Sequence, residues 1–151
     1  MCVITLSSSD IIAVLAGLIA GLSALYARWA WKEANRSNEL SLLSHRKEIF
    51  DALYELNQHI VQKGQFAVSE EVTKFFTHSR NSSYYFNNHI AGQISDYYDL
   101  CFKVADLAKL HSPMYPSENE ERSEALKKSR NLYPEIEKEI RKVIGKAIQN
   151  G

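Results

Sequence analysis

The sequence predicts an all-α protein, in which one amino-terminal transmembrane helix continues into a cytoplasmic antiparallel bundle of about four helices. Three observations predict it. Residues Ile11 to Ala27 pass without a single charge. Beyond them, apolar residues recur at spacings of three and four, the period of a helix face. No stretch alternates apolar and polar residues as a half-buried strand does, and no internal repeat is present.

The first element follows from length. A helix rises about 1.5 Å per residue, so Ile11 to Trp31 spans roughly 31 Å. The hydrocarbon core of a bilayer is about 30 Å thick. Residues 1–9 are then a short extracytoplasmic terminus and 10–31 the span. "SSSD" offers Asp10 as a helix N-cap, and Ser7 and Asp10 have capping-box spacing. At the far end Tyr26, Trp29 and Trp31 suit headgroup depth, and Arg28, Lys32 and Arg36 form a basic stripe at spacings of four. These six are the expected membrane-interface residues. A cleaved signal fits poorly, because residues 1–9 carry no Lys or Arg and no small-x-small site follows the run. A soluble core helix fits poorly too, because only Ser23 interrupts the apolar surface.

Orientation follows from the basic residues, none of which precedes Arg28 at the far end of the span. The positive-inside rule puts the amino terminus outside and the carboxyl-terminal part in the cytoplasm. The expected location is the bacterial inner (cytoplasmic) membrane. Two ridges of small residues run along the span: Ala13, Gly17 and Gly21, and beside them Ala16, Ala20 and Ala24. Small residues let backbones approach closely in lipid, where no hydrophobic force drives helices together. The expectation is a homo-oligomer associating through this face.

A juxtamembrane helix, 32–63, comes next. No Pro or Gly interrupts it before Gly64. Leu42, Ile49, Leu53, Leu56 and Ile60 form its stripe, widened by Leu43, Phe50, Tyr54 and Val61. The Asn- and Ser-rich "NRSNELS" at 35–41 leaves open whether it is continuous with the span or bends. A coiled-coil stalk is a rival, with Glu39 and Arg46 where apolar residues belong.

Residues 69–149 supply the rest of the bundle. "SEEVTKFFTHS" reads as a short helix capped by Ser69. One long helix then starts near Arg80, its stripe being Phe86, Ile90, Ile94, Tyr97, Cys101, Val104 and Ala108. "SPMYPSENEE" reads as a loop, with Ser117 and Glu120 as a capping box. The helix after it is expected to break near Tyr133, and Pro134 to open a last helix with Ile136, Ile140, Val143, Ile144 and Ala147 on its apolar face.

The order of these pieces, with Arg46, Glu48, Ile49 and Phe50 as an Arg-x-Glu-Ile-aromatic segment and Tyr84, Tyr85 and Phe86 as an aromatic cluster, resembles a broad set of uncharacterised bacterial single-pass membrane proteins. The residue after the cluster is Asn87, where a small one belongs to that pattern. The resemblance spans residues 10–110. It implies a membrane-anchored helical domain and brings no catalytic residues.

Composition limits the chemistry. All eighteen Lys and Arg lie after Ala27, against seventeen of the eighteen acids, so that part is near neutral and has no field to gather nucleic acid. Cys2 and Cys101 fall on opposite sides of the span, and Cys101 reads as a small core residue. His45, His59, His78, His89 and His111 lack metal-ligand spacing, and no HExxH, CxxC or phosphate loop is present. His78 and Arg80 with His89 are too widely spaced for the one-face pairing of a helical ribonuclease. No catalytic, metal or cofactor residue is expected, and no cofactor. Eight aromatic residues fall between Phe75 and Phe102. Most are expected to fill a core, while Tyr85 and Tyr98 are offered as the surplus that meets a protein partner.

The reading is a non-enzymatic membrane-anchored interaction module whose partners are the lipid bilayer, its own copies and a protein not identified by sequence. Two alternatives stand: a small membrane effector of a bacterial or phage defence or exclusion system acting through its span, and a hydrolase or nuclease unrecognised in sequence.

Overall fold

The computed structural model describes residues 7–109 and 116–149, the side chains of 116–118 excepted. Cys2, His111 and Pro113 lie outside the described residues, as does the side chain of Ser117 that was to cap a helix. The chain is all-α. Its elements are α1 (Ser8–Lys63), a 3-10 turn (Gly64–Phe66), α2 (Ser69–Lys74), α3 (Phe76–Tyr85), α4 (Asn88–Lys109) and α5 (Pro116–Gln149). The described residues contain no strand. By its contacts the chain divides into two units, Met1–Leu40 and Ser41–Gly151.

From Ser8 onward the first unit is helix. Ser7, not Asp10, is the residue ahead of α1. The Asp10 carboxylate accepts from the Ser7 amide at 3.1 Å, which is the return half of the capping box. Ser23 donates its hydroxyl to the Ile19 carbonyl at 2.8 Å, so the one polar side chain of the apolar run is satisfied within its own helix. Helix assignment persists through 35–41. Asn and Ser cost only tenths of a kcal/mol each in a helix, which is too little to end one.

The second unit is built around α4. Ile90, Ala91, Ile94, Tyr97, Cys101, Val104 and Ala105 are buried, at the expected helical spacing. Half-buried Ala108 extends the stripe. They meet Ile49, Leu53, Leu56 and Ile60 of α1, Val72 and Phe75 from the α2 region, and Ala125, Leu126, Tyr133, Ile136 and Ile140 of α5. Each large side chain so buried contributes about 1.5–3 kcal/mol.

Side-chain contacts give the directions. Arg46 meets Tyr85 while His59 meets Val68, so α2 and α3 run against α1. Phe76 packs on Tyr98, so α4 runs against α3. Lys103 pairs with Glu121 and Tyr97 packs on Tyr133, so α5 runs against α4. With α2 and α3 counted as one rod, this is an antiparallel four-rod bundle.

Three boundaries differ from expectation. Ser69 does not cap α2. It is the first helical residue and is buried, and Val68 occupies the N-cap without a side-chain bond. The long helix expected from Arg80 is interrupted at Phe86, which is extended (φ −120°, ψ 163°). Asn87 starts α4 afresh by accepting the Ile90 amide on its Oδ1 at 2.9 Å. The expected break near Tyr133 is absent. Pro134 lies inside α5. Proline deletes one helical hydrogen bond and crowds the preceding turn, at a cost of roughly 3 kcal/mol. Pro134 is exposed, whereas Leu126, Ser129, Tyr133, Ile136 and Ile140 on both sides of it are buried in one core. That shared burial holds the two halves in one helix. The stop after Lys63 is as expected, with Gly64 at φ +54° in the left-handed region that favours glycine.

Candidate functional site

The two units present different surfaces. In the first, every apolar side chain of the run faces outward: Ile11, Leu15, Ile19, Leu22 and Leu25 are each more than half exposed. This is the one helix among the described residues that is long and apolar enough to cross a membrane, and none of its apolar window is buried. A core helix of a water-soluble bundle buries that surface.

Ala13, Gly17 and Gly21, and Ala16, Ala20 and Ala24, are all exposed. A Cβ added at Gly17 or Gly21 meets nothing within 4 Å, so neither glycine serves packing within the chain. Tyr26, Trp29 and Trp31 are exposed, as are Arg28, Lys32 and Arg36.

The second unit carries the aromatic and histidine groups. Tyr85 and Tyr98 are only half-buried and both pack against the core. Tyr85 stacks on His45 (centroids 4.9 Å apart, planes at 30°). Tyr98 sits in a row with Phe76 (5.7 Å) and Phe102 (6.0 Å), and Arg80 lies over Phe76 at 6.0 Å. Among the described residues of this unit the most exposed tyrosine is Tyr84, at 81%. Tyr97 is wholly buried and donates to Asn57 Oδ1 at 3.2 Å, and burial pushes its phenol up. Burial also pushes the Cys101 thiol up to about 12, which makes it an inert core residue.

The histidines are spread over separate surroundings. His89 is exposed in the first turn of α4, while His78 is half-buried on α3 and stacks on Phe75. Arg80 and His89 are not brought together by any contact among the described residues. His59 and His78 line one small cavity of about 110 Å³ between α1 and the α2–α3 rod, with Glu55, Glu71 and Lys74. Ligand pockets are typically about 300 Å³ or more. Glu71 is held by Lys74, whose Nζ reaches both carboxylate oxygens at 2.7 Å, and this bond lowers its pKa. The His59 pKa is lowered chiefly by burial, against the pull of Glu71. Among the described residues, no group of three or more His, Cys, Asp or Glu converges to hold a metal.

Two residues were not singled out from sequence alone. His59 Nε2 accepts the Val68 amide at 3.0 Å. Arg122, buried on α5, donates to Asn119 Oδ1 at 2.8 Å and Gln65 Oε1 at 3.4 Å, tying α5 to the 3-10 turn. The His59–Val68 and Arg122–Gln65 contacts join residues nine or more apart in sequence, where no periodic pattern points.

No protein-family model, no curated protein and no solved structure matches the chain.

Proposed function

We propose that the chain is a non-enzymatic, membrane-anchored interaction module. The span 10–31 sits in the bacterial cytoplasmic membrane with the amino terminus outside. The unit after Leu40 stands in the cytoplasm and offers its helical surface to a protein partner, and the span self-associates. One observation carries this reading: a fully outward-facing apolar helix precedes a unit with its own closed core. Such a helix in water exposes the largest kind of apolar patch, which a bilayer removes.

The aromatic girdle supports the anchor and the basic stripe supports the orientation. The near-neutral net charge gives the bundle no field to gather a charged substrate, and the cavity in which His59 and His78 meet is only about 110 Å³, both of which support binding over catalysis. The exposed small-residue ridges also favour the second reading, a membrane effector whose span assembles to perturb the bilayer.

The test is alkaline carbonate extraction of membranes from expressing cells, with protease protection of inverted vesicles. Retention in the membrane with a protease-accessible carboxyl-terminal unit is expected. Release by carbonate ends the anchor reading, and protection of that unit reverses the orientation. Loss of membrane potential on expression selects the effector over the silent module.

A further inference from the structure

His59 stands on the last turn but one of α1, half-buried against the start of α2. Its Nε2 accepts the main-chain amide of Val68 at 3.0 Å. Val68 is the N-cap of α2 and makes no side-chain cap, so its amide is one of the four that a helix start leaves without an internal partner. An imidazole nitrogen accepts only when it carries no proton. The geometry therefore fixes the neutral ring with its proton on Nδ1.

We infer that this bond is a pH-operated latch: protonation of His59 turns the accepting Nε2 into a donor, opposes two N–H groups, and loosens the start of α2 from α1. The groups around the ring set which form prevails. On α1 these are Glu55 and Lys63, on α2 Glu71 and Lys74, and on α3 His78. The 3-10 turn between them carries no titratable side chain. Glu71 attracts an imidazolium, but Lys74 already occupies both of its oxygens, while Lys63 and Lys74 repel it. Burial of the ring, the largest influence, and these two lysines lower its pKa, so the latch holds to a lower pH than that of a free imidazole. Loss of the bond loosens the start of α2, while Ala67 just ahead of it and Val72 within it stay anchored in the core.

The test is hydrogen exchange of the full chain in lipid nanodiscs at pH 7.5 and 5.5, corrected for intrinsic rates. Wild-type protection over residues 64–72 should fall roughly three- to tenfold at pH 5.5, the size expected for one lost hydrogen bond. His59→Gln, whose amide oxygen still accepts but does not titrate, should hold its pH 7.5 protection at pH 5.5. His78→Gln should keep the wild-type fall. A flat wild-type profile, an undiminished fall in H59Q, or loss of the fall in H78Q each overturns the latch. A reading on the unmutated chain guards against misfolded variants. The Val68 amide resonance must titrate with the midpoint of the His59 ring, and a Val68 shift that is flat through that midpoint overturns it as well.

Discussion

Arg46 donates its Nε to the main-chain carbonyl of Tyr85 at 2.8 Å, and its guanidinium lies 5.9 Å from the Phe86 ring centroid. Tyr85 is the last residue of α3, so its carbonyl is one that the helix end leaves free. A cation there also complements the negative end of the helix. One half-buried side chain on α1 thereby closes α3 and fixes the corner into α4. Removing it with Arg46→Ala should cost about 1.5–3 kcal/mol, the range for hydrogen bonds to charged groups. Lys at this position lacks the planar fork and should recover less than half of that loss. Urea unfolding of the full chain in mild detergent, followed by near-ultraviolet circular dichroism, measures both.

Tyr97 and Asn57 make the corresponding polar tie between α4 and α1. Tyr97→Phe keeps the buried ring and drops only the hydroxyl, so about 1 kcal/mol should be lost. Tyr97→Ala should cost about 3–5 kcal/mol, because a cavity opens between Cys101, Tyr133 and the α1 stripe. Equal losses in the two variants would mean that the hydroxyl, not the ring, dominates.

Cys101 has its thiol pushed up to about 12 by burial and is wholly enclosed. The thiolate is the reactive form, and at pH 8 almost none is present. In a Cys2→Ser background, Cys101 should resist maleimide in the folded chain and react fully once urea unfolds it. Fast labelling of the folded protein would show that the core opens locally around α4.

Pro134 explains where sequence reading stops. The stripes Ile49–Leu53–Leu56–Ile60 and Ile90–Ile94–Tyr97–Cys101 are periodic, so burial could be read from spacing alone. Boundaries depend on competing local terms. At Pro134 the local cost of proline argues for a break, and core contacts on either side of it outweigh that cost. At Asn87 the outcome is reversed: a stripe running through Phe86 hid a cap. The His59–Val68 and Arg46–Tyr85 bonds leave no periodic mark at all. Pro134→Ala should restore an amide donor to the helix and raise stability by about 1–2 kcal/mol, less than the full proline penalty because Pro also restricts the unfolded chain. A fall in stability would mean that α5 needs the bend a proline imposes.

Gly17 and Gly21 separate a role within the chain from a role between chains. An added Cβ meets nothing at either position, so larger side chains should leave the second unit's unfolding midpoint unchanged. Helix propensity argues the same way, because Ile is the better helix former of the two. Close approach of a second span is the one property that Ile removes there. Gly17→Ile with Gly21→Ile should therefore cut the signal of a transmembrane association reporter by at least half, with expression and membrane retention intact. A double change on the opposite side of the helix, Leu15→Ile with Ile19→Leu, serves as the control. Loss of signal in the control alone would move the contact to the large-residue face, and an unchanged signal in both would mean that neither face carries the association.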